Sequence, residues 1–378
     1  MALTSGTVFD LAVVGAGPAG SAAAITAARH GLRVLQLEAG SLPRHKVCGE
    51  FISAEAVALL RQLLRSADTP ALKRAARVSE VHLHADGKSA RLPLDTPAIS
   101  LSRSELDLSL WKSAQENGVI CEQRCRVKAI LNSGSGFRLS SDDREFRAQA
   151  VVNCSGRWSE LRVPLEEPQS RRDKWIGIKG HFYEPDSPST CDLYFFPSGY
   201  CGVLPLRAGE RGMVNAAAMV RSAAARSFEE LFPLNPALGR RAISWNSVFP
   251  PVTTSPLIFR PPQSSYDGAL LAGDAAGFID PFTGDGISLA IHGGIRAASA
   301  MNAYLRKQVT LQQAIDGYDR WYRSNLLPAF STARRLRQLQ ELPRFVRHLS
   351  LSLLGIPLVG STAIGLTRVK GHFRDEVC

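Results

Sequence analysis

Three glycines near the start of the chain have the spacing of a loop that binds a pyrophosphate. Gly15, Gly17 and Gly20 follow an apolar run, and the acidic Glu38 ends the next apolar run. In this pattern the first glycine permits a tight turn, the second lets the backbone approach phosphate, and the third lets a helix pack on the strand. A helix that begins near Pro18 directs its free N–H groups at the phosphates. We therefore predict a dinucleotide site, with Glu38 accepting hydrogen bonds from a ribose.

Two further segments carry residue types that could act on a ligand beside this loop. The loop 43–50 contains Lys46 and Cys48, an ammonium and a thiol two residues apart. The segment 273–287 contains Gly-Asp and then Asp-Pro-Phe-Thr-Gly-Asp-Gly, before a helix predicted to end near residue 304. A helix N-terminus stabilises negative charge, and Cys48 could serve as a proton donor or as a small wall residue.

The surrounding sequence predicts the elements that position these residues. The first loop lies between a strand and a helix of small residues that ends near His30, with Gly31 as its C-cap. Alternating residues at 78–94 predict a hairpin, and Ser102 to Glu105 predict a capping box that opens a helix. Residues 174–220 predict antiparallel strands with aromatic side chains.

Composition indicates a globular protein of two or three domains. The chain has 378 residues, of which 45% are hydrophobic and 21% are charged. We expect no secretory signal, and the seven cysteines form no C-x-x-C pair, so neither a zinc site nor a redox dithiol is indicated. His82 and His84 share one strand face, but we expect a hairpin surface there and no metal. These features favour a cytoplasmic protein.

Positive charge is concentrated in the last part of the chain. The net charge is +11, and residues 301–378 contain 12 Lys and Arg against 5 Asp and Glu. This region could attract an anionic membrane surface or an acidic redox partner, or it could be a solvated helical face. Residues 349–366 are apolar but broken by glycine and proline, which predicts a surface-lying or substrate-covering segment or a buried helix pair. No recognition motif indicates nucleic acid.

The order of these motifs resembles the glutathione-reductase-like flavoproteins, in particular those with the p-hydroxybenzoate-hydroxylase fold. Within that superfamily the chain is most similar to the geranylgeranyl-reductase-like branch, which borders the flavin-dependent halogenases. Residues 43–49, 102–107 and 280–286 carry this resemblance. It implies FAD as the cofactor, with the glycine loop on its ADP half and the helix after Gly286 at the flavin.

The resemblance also implies a set of FAD-binding residues. They are Gly15, Gly17, Pro18, Ala19, Gly20, Glu38, Ala39, Arg44, Lys46, Cys48, Gly49, Arg103, Val127, Ser155, Gly156, Gly273, Asp274, Pro281, Gly284, Asp285, Gly286 and Ile287.

The implied architecture is α/β. It combines a glutathione-reductase-like Rossmann FAD-binding domain, an inserted antiparallel-sheet substrate domain and a helical C-terminal region. We assign residues 1–77, 97–160 and 262–300 to the discontinuous FAD domain. Residues 78–96 and 161–261 form the substrate domain, and residues 301–378 form the basic helical region.

We expect an FAD-dependent oxidoreductase that reduces or dehydrogenates a carbon–carbon bond of an isoprenoid, lipid or polyketide-like molecule through flavin N5. Lys46, Cys48 and Pro281 are the catalytic candidates, and Tyr194, Phe196 and Tyr200 are the predicted substrate contacts. The alternative is a monooxygenase of secondary metabolism that hydroxylates or epoxidises its substrate through a flavin C4a-hydroperoxide.

Two further hypotheses have less support from the residues. A halogenase could use Lys46, but the chain lacks a Trp-x-Trp-x-Ile-Pro motif. A flavin electron carrier would need an exposed flavin edge, and the cysteines lack the spacing of an iron–sulfur cluster that could exchange electrons with it.

The electron donor is left open between NAD(P)H and a reduced partner such as a ferredoxin or flavin reductase. Related hydroxylases that use NAD(P)H directly carry Asp-Gly where this chain has Ser155 and Gly156. A second G-x-G-x-x-G unit for a separate nicotinamide domain is also missing from the sequence. The basic C-terminal region could dock an acidic partner that delivers electrons.

Overall fold

A computed structural model describes residues 7–64, 69–157, 161, 174–208, 211–340 and 365. Its strands are β1 Val8–Val14, β2 Val34–Leu37, β3 Phe51–Ile52, β4 Ala76–Ala85, β5 Lys88–Ser100, β6 Ile120–Glu122, β7 Ala129–Asn132, β8 Phe137–Ser140, β9 Glu145–Asn153, β10 Trp175–Tyr183, β11 Thr190–Phe196, β12 Gly199–Ala208, β13 Arg211–Arg221, β14 Val252–Thr254, β15 Ser265–Tyr266 and β16 Ala269–Leu271. Its helices are α1 Pro18–Arg29, α2 Ala54–Leu63, α3 Pro70–Arg74, α4 Arg103–Glu116, α5 Phe228–Leu231, α6 Pro236–Ala242, α7 Gly286–Leu305, α8 Leu311–Asn325 and α9 Leu327–Gln340.

The first sheet is a parallel Rossmann-type sheet with the strand order β16-β9-β1-β2-β6. Strand β15 pairs antiparallel with β16, and β7 and β8 extend β9 as an antiparallel meander. The carboxyl ends of β1, β2, β9 and β16 meet at one edge, followed by Gly15, Glu38, Cys154 and Ala272 respectively. Ligands of open α/β sheets bind at this edge.

Helices cover one face of the parallel sheet and the meander covers the other. Leu11 and Val13 of β1 face a buried cluster that includes α1, α2, α4, α7 and α8. Ala12 and Val14 alternate to the opposite face and pack in the cluster that includes the meander. Helices α1 and α7 cross closely, because a Cβ on Gly294 would overlap the backbone of Ala19. This contact brings the N-terminal ends of α1 and α7 toward the same edge.

The second sheet has the order β14-β10-β13-β12-β11-β4-β5-β3. All its pairs are antiparallel except β11 with β4. One face packs against α5 and α6, and the other carries apolar side chains toward the first sheet. The hairpin predicted at 78–94 is present, with its turn at Asp86 and Gly87.

The predicted α/β class, with a Rossmann FAD-type domain, a second sheet and a helical C-terminal region, is confirmed. The predicted capping box is wrong in its second half. Ser102 caps α4 by accepting from the Ser104 N–H, whereas Glu105 binds Arg74 at 2.9 Å. The apolar stretch 349–366, apart from residue 365, lies outside the described residues. Among the helices of the described ranges, none is both long and apolar enough to cross a membrane.

Candidate active site

A cavity of about 1090 Å³ extends from the edge of the parallel sheet to the inner face of the second sheet. One end is lined by the glycine loop, Glu38 and Val127. The middle is lined by loop 44–51 and by residues 273–287. The far end is lined by apolar side chains of the second sheet. A volume of this size is at the upper end of the range for ligand sites and exceeds what a small substrate needs.

The three glycines of the first loop do different things. Gly15 has φ +108°, and a Cβ there would overlap the carbonyl oxygen of Cys154 on the neighbouring strand. A Cβ on Gly20 would overlap the carbonyl oxygen of Gly15, so Gly20 allows α1 to pack on the turn. A Cβ on Gly17 would instead lie 3.7 Å from Arg103 Nη2 and 4.0 Å from Lys46 Nζ. Gly17 thus leaves its backbone open to the cavity beside two cations.

Glu38 is buried at the end of β2 and organises the loop. Its carboxylate accepts hydrogen bonds from the backbone N–H groups of Ala16 at 2.8 Å and Gly40 at 2.9 Å. It also accepts from the Arg44 guanidinium at 2.6 Å. Because a carboxylate offers about four lone-pair sites, Glu38 can hold the loop and still accept from a ribose hydroxyl.

Asp107 holds both cations that face Gly17. Arg103 donates to its two oxygens at 2.9 Å each, and Lys46 Nζ lies 2.9 Å from Oδ2. Burial opposes ionisation of Asp107, but Arg103 and Lys46 outweigh it and keep the pKa of this carboxyl below its usual value. Two cations share one counter-charge, so the site has net positive charge where a pyrophosphate is predicted.

The loop that carries Cys48 is anchored on the second sheet. Glu50 has φ +64° and is fully buried. Its carboxylate accepts from the Arg103 N–H at 2.6 Å, from Lys179, and from His181 at 2.9 Å. Burial raises the pKa of Glu50, yet Lys179 and His181 bring it below the usual value. These bonds fix the loop just after Cys48.

Asn215 of β13 completes this anchoring. Its amide donates to the carbonyl oxygens of Cys48 at 3.1 Å and Gly49 at 2.8 Å. Cys48 itself interacts with the Arg103 guanidinium and accepts from the Glu50 N–H at 3.3 Å. The thiol is therefore held at a defined place on the cavity wall.

Residues 273–287 form the opposite wall of the cavity. Burial raises the pKa of Asp274, and Arg157, Arg103 and Lys46 partly offset this effect. Gly284 has φ +72°, and a Cβ there would lie 3.0 Å from the Phe51 ring. Helix α7 begins at Gly286 with its first N–H groups at the cavity. A helix of 20 residues directs a positive dipole end at this point.

The far end of the cavity is an apolar chamber. It is lined by Phe51, Val81, Leu83, Leu92, Cys191, Leu193, Tyr200, Leu204, Met219, Leu257, Phe278 and Phe282. Tyr200 is buried in its wall, and its hydroxyl has no hydrogen-bond partner within the described residues. Burial, with Asp280 nearby, raises the pKa of Tyr200 well above 10, which keeps the phenol neutral. The chamber can accept a hydrophobic molecule and offer it one hydroxyl.

The structure does not bring Tyr194 and Phe196 to this chamber. Both side chains pack on the other face of the sheet with α5 and α6, and the Tyr194 hydroxyl accepts from Arg241 at 3.1 Å. Of the three predicted substrate contacts, Tyr200 lines the chamber, and the prediction for Tyr194 and Phe196 is wrong. Side chains of β11 alternate, so Cys191 and Leu193 face the chamber instead.

Most of the other predicted residues do line the cavity. They are Gly15, Gly17, Pro18, Ala19, Glu38, Ala39, Arg44, Lys46, Cys48, Gly49, Arg103, Val127, Ser155, Gly156, Gly273, Asp274, Pro281, Gly284, Gly286 and Ile287. Gly20 packs beneath the loop, and Asp285 is buried at the start of α7.

The glycine cradle, the paired cations and the two helix N-termini fit FAD. The sequence does not predict four residues that hold loop 44–51 and its cations, because only the tertiary fold brings them there. They are Asp107, Lys179, His181 and Asn215.

Comparisons with known proteins agree with this geometry. A family model described as FAD binding domain matches residues 9–231. A menaquinone reductase of Mycobacterium tuberculosis is 28% identical over 362 residues, which is 89% of this chain and 85% of the relative. A digeranylgeranylglycerophospholipid reductase of Methanopyrus kandleri is 29% identical over 341 residues, or 83% and 82% of the two chains. Among solved structures, a flavin-dependent brominase superposes with a TM-score of 0.78 at 21% identity, covering 96% of this chain and 93% of that one.

Proposed function

This chain belongs to the FAD binding domain family and is an FAD-dependent oxidoreductase, and from that premise we propose that it acts on a carbon–carbon bond of a hydrophobic small molecule. The direction we favour is reduction of a carbon–carbon double bond in an isoprenoid, lipid or polyketide-like substrate. The continuity of one cavity from the FAD-binding residues to the apolar chamber carries this proposal.

The chain's own residues have separable roles in this proposal. Arg103 and Lys46 bind the pyrophosphate, Glu38 binds the adenosine ribose, and Asp274 accepts from a ribityl hydroxyl. When bound, FAD supplies a hydride at its N5 position. The N-terminus of α7 stabilises negative charge at the flavin end of the cavity.

Saturation of a double bond needs a proton as well as a hydride. Cys48 is our candidate proton donor, because the Glu50 and Asn215 bonds hold its thiol at the cavity wall. Cys48→Ala should slow turnover by about 100-fold or more while FAD content stays unchanged. If the variant turns over as fast as the wild type, Cys48 is a residue of the cavity wall and not the proton donor.

The named relatives support an isoprenoid substrate. The two relatives are named as reductases of a menaquinone and of a digeranylgeranylglycerophospholipid. Both names denote molecules with long isoprenoid chains, and the chamber lined by Leu83, Leu193 and Leu204 suits such a chain. The likeness to the brominase, at 21% identity, supports the fold alone.

The position of Lys46 argues against halogenation as the reaction. In the halogenase hypothesis, Lys46 would act in the chemistry at the substrate. Its ammonium instead pairs with Asp107 beside Gly17, at the predicted pyrophosphate. We therefore assign Lys46 to FAD binding.

We further propose that a reduced partner protein, rather than NAD(P)H, delivers the electrons. Ser155 donates its hydroxyl to Asn153, so the turn after β9 presents no carboxylate from that position to the cavity. The test is anaerobic reduction of the holoprotein with NADH, with NADPH and with reduced ferredoxin. We expect bleaching of the flavin absorbance with ferredoxin only. Rapid bleaching by either nicotinamide alone would overturn this proposal.

The same preparation separates the reductase from a monooxygenase. Once reduced, it is given air with and without a polyprenylated substrate, and oxygen uptake is followed. A reductase takes up no more oxygen when substrate is added. Substrate-stimulated uptake, with oxygen from the gas in the product, would replace our proposal with the monooxygenase.

A further inference from the structure

Two histidines and a carboxylate converge on the face of the second sheet that is turned away from the cavity. His82 and His84 lie on β4, and Asp192 lies on the neighbouring strand β11. The two strands are parallel, and the register places Asp192 opposite His82. All three side chains therefore stand on the same face, the one that α6 covers.

The distances between their polar atoms match those around a tetrahedral metal ion. Asp192 Oδ1 lies 3.1 Å from His84 Nε2 and 3.4 Å from His82 Nδ1. The three potential ligand atoms lie within 4.8 Å of one another. With zinc bonds to nitrogen and oxygen of about 2.0 to 2.1 Å, the ligand atoms of a tetrahedral site lie about 3.3 to 3.4 Å apart. The distances from Asp192 Oδ1 to the two histidine nitrogens are already close to this value.

Groups behind the three side chains hold them in the orientation that a metal requires. The other nitrogen of His82, Nε2, lies 2.7 Å from the Glu80 carboxylate. The other oxygen of Asp192, Oδ2, accepts from Thr190 at 2.7 Å and from Arg241 at 2.9 Å. The His84 ring stacks on Tyr194 with centroids 4.6 Å apart. A carboxylate on the distal nitrogen of a ligating histidine is the usual support at zinc sites.

The local charge also favours a divalent cation. Arg241 binds Asp192 but is itself held by Glu184 through two bonds of 2.8 and 2.7 Å. The register also places Arg91 opposite His82 on this face. The carboxylates of Glu80, Glu184 and Asp192 still outnumber the guanidinium groups of Arg241 and Arg91, so the local charge is negative and attracts a cation. The side chains of His82 and His84 are 18% and 22% exposed, so solvent reaches the position.

We propose that His82, His84 and Asp192 bind a divalent transition metal, with zinc as the best fit, and that a water molecule completes the tetrahedron. The site joins β4 to β11 on the face opposite the chamber, so its role is to stabilise the sheet that forms the chamber wall. The pair on β4 is visible in the sequence, whereas Asp192 comes from a strand 108 residues away.

The test uses the FAD holoprotein without a polyhistidine tag, after removal of metals by EDTA. Zinc chloride is titrated by calorimetry, and thermal unfolding is measured with and without zinc. We expect one zinc ion per chain at this site and a higher Tm in its presence. The double variant His82→Ala/His84→Ala should lose this ion and the Tm shift. Glu80→Gln should weaken zinc binding by about 10-fold to 100-fold.

His30→Ala serves as the matched control, since it removes a half-buried histidine far from the cluster. It should bind zinc like the wild type. The Tm of each variant without zinc shows that it is folded. Zinc binding of equal affinity in the wild type and the double variant, or wild-type affinity weaker than about 1 mM, would overturn the proposal. In that case His82 and His84 are simply partners of the carboxylates.

Discussion

Arg103 binds both oxygens of Asp107 at 2.9 Å, and this pair places the guanidinium 3.7 Å from the point that a Cβ on Gly17 would occupy. The same carboxylate holds Lys46. A residue in the first turns of α4 thus aims two cations at a glycine loop that is some 90 residues earlier in the chain. This arrangement places positive charge where the pyrophosphate of FAD is predicted to bind.

Removal of this guanidinium should weaken cofactor binding. In Arg103→Ala we expect FAD affinity to fall by about 10-fold to 100-fold, because a charge-assisted bond contributes roughly 1.5 to 3 kcal/mol. This affinity is measured by titrating the apoprotein with FAD and following the quenching of flavin fluorescence. Arg74→Ala is the control, since Arg74 pairs with Glu105 on the same helix but at the surface. If both variants bind FAD like the wild type, Arg103 does not contact the cofactor.

Alanine at two glycines of the same loop should affect two different properties, FAD affinity at Gly17 and stability at Gly20. Gly17→Ala leaves room for the new methyl group within the protein, so we expect a folded apoprotein whose FAD affinity falls by about 10-fold. Gly20→Ala forces a methyl group onto the Gly15 carbonyl and should lower the free energy of unfolding by about 1 to 3 kcal/mol. Urea unfolding of the two apoproteins and FAD titration distinguish them. Equal effects of the two substitutions on both quantities would contradict the roles assigned here.

Glu50 should make the fold sensitive to acid. Its pKa in the folded state lies below the ordinary value of 4.5, so it stabilises the fold above that pH and loses this contribution as the pH falls through the lowered pKa. Glu50→Gln leaves Lys179 buried without its counter-charge and should cost about 3 to 5 kcal/mol at pH 7. Urea unfolding of both proteins from pH 7 to pH 3 should show this difference shrinking below about pH 4.5.

Glu105→Gln is the control for this experiment. Glu105 pairs with Arg74 at the surface, so the free energy of unfolding should change by less than about 1 kcal/mol at every pH. A Glu50→Gln penalty that grows as the pH falls would contradict the direction of the Glu50 pKa shift.

Neighbouring residues of β11 should differ in their effect on the substrate. Leu193 faces the chamber, so Leu193→Trp should fill it and raise KM by about 10-fold or more while FAD content stays constant. Tyr194→Phe changes a hydroxyl that binds Arg241 on the other face and should leave KM unchanged. Steady-state kinetics with one hydrophobic substrate tests both. If KM changed more in Tyr194→Phe than in Leu193→Trp, Tyr194 would contact the substrate, as the sequence predicts.

The residues that sequence alone predicts well are those whose role is set by local spacing. The glycine loop, Glu38 and the Gly273–Asp274 turn follow single strands, and the parallel sheet then brings them to one edge. Lys179 could not be predicted, because it reaches Glu50 across 129 residues of chain. The sequence shows that side chains alternate along β11, but it does not show which face of the strand lines the cavity.

The most direct test of this account is a single turnover under argon. Chemically reduced holoprotein is mixed with a polyprenylated lipid whose isoprenoid double bonds are its only readily reduced groups, while flavin absorbance is followed and the product mass is measured. We predict that the flavin reoxidises without oxygen, at a rate that depends on substrate concentration, and that the product gains two hydrogen atoms. A flavin that stays reduced until oxygen is admitted, with an unchanged substrate under argon, would contradict the account.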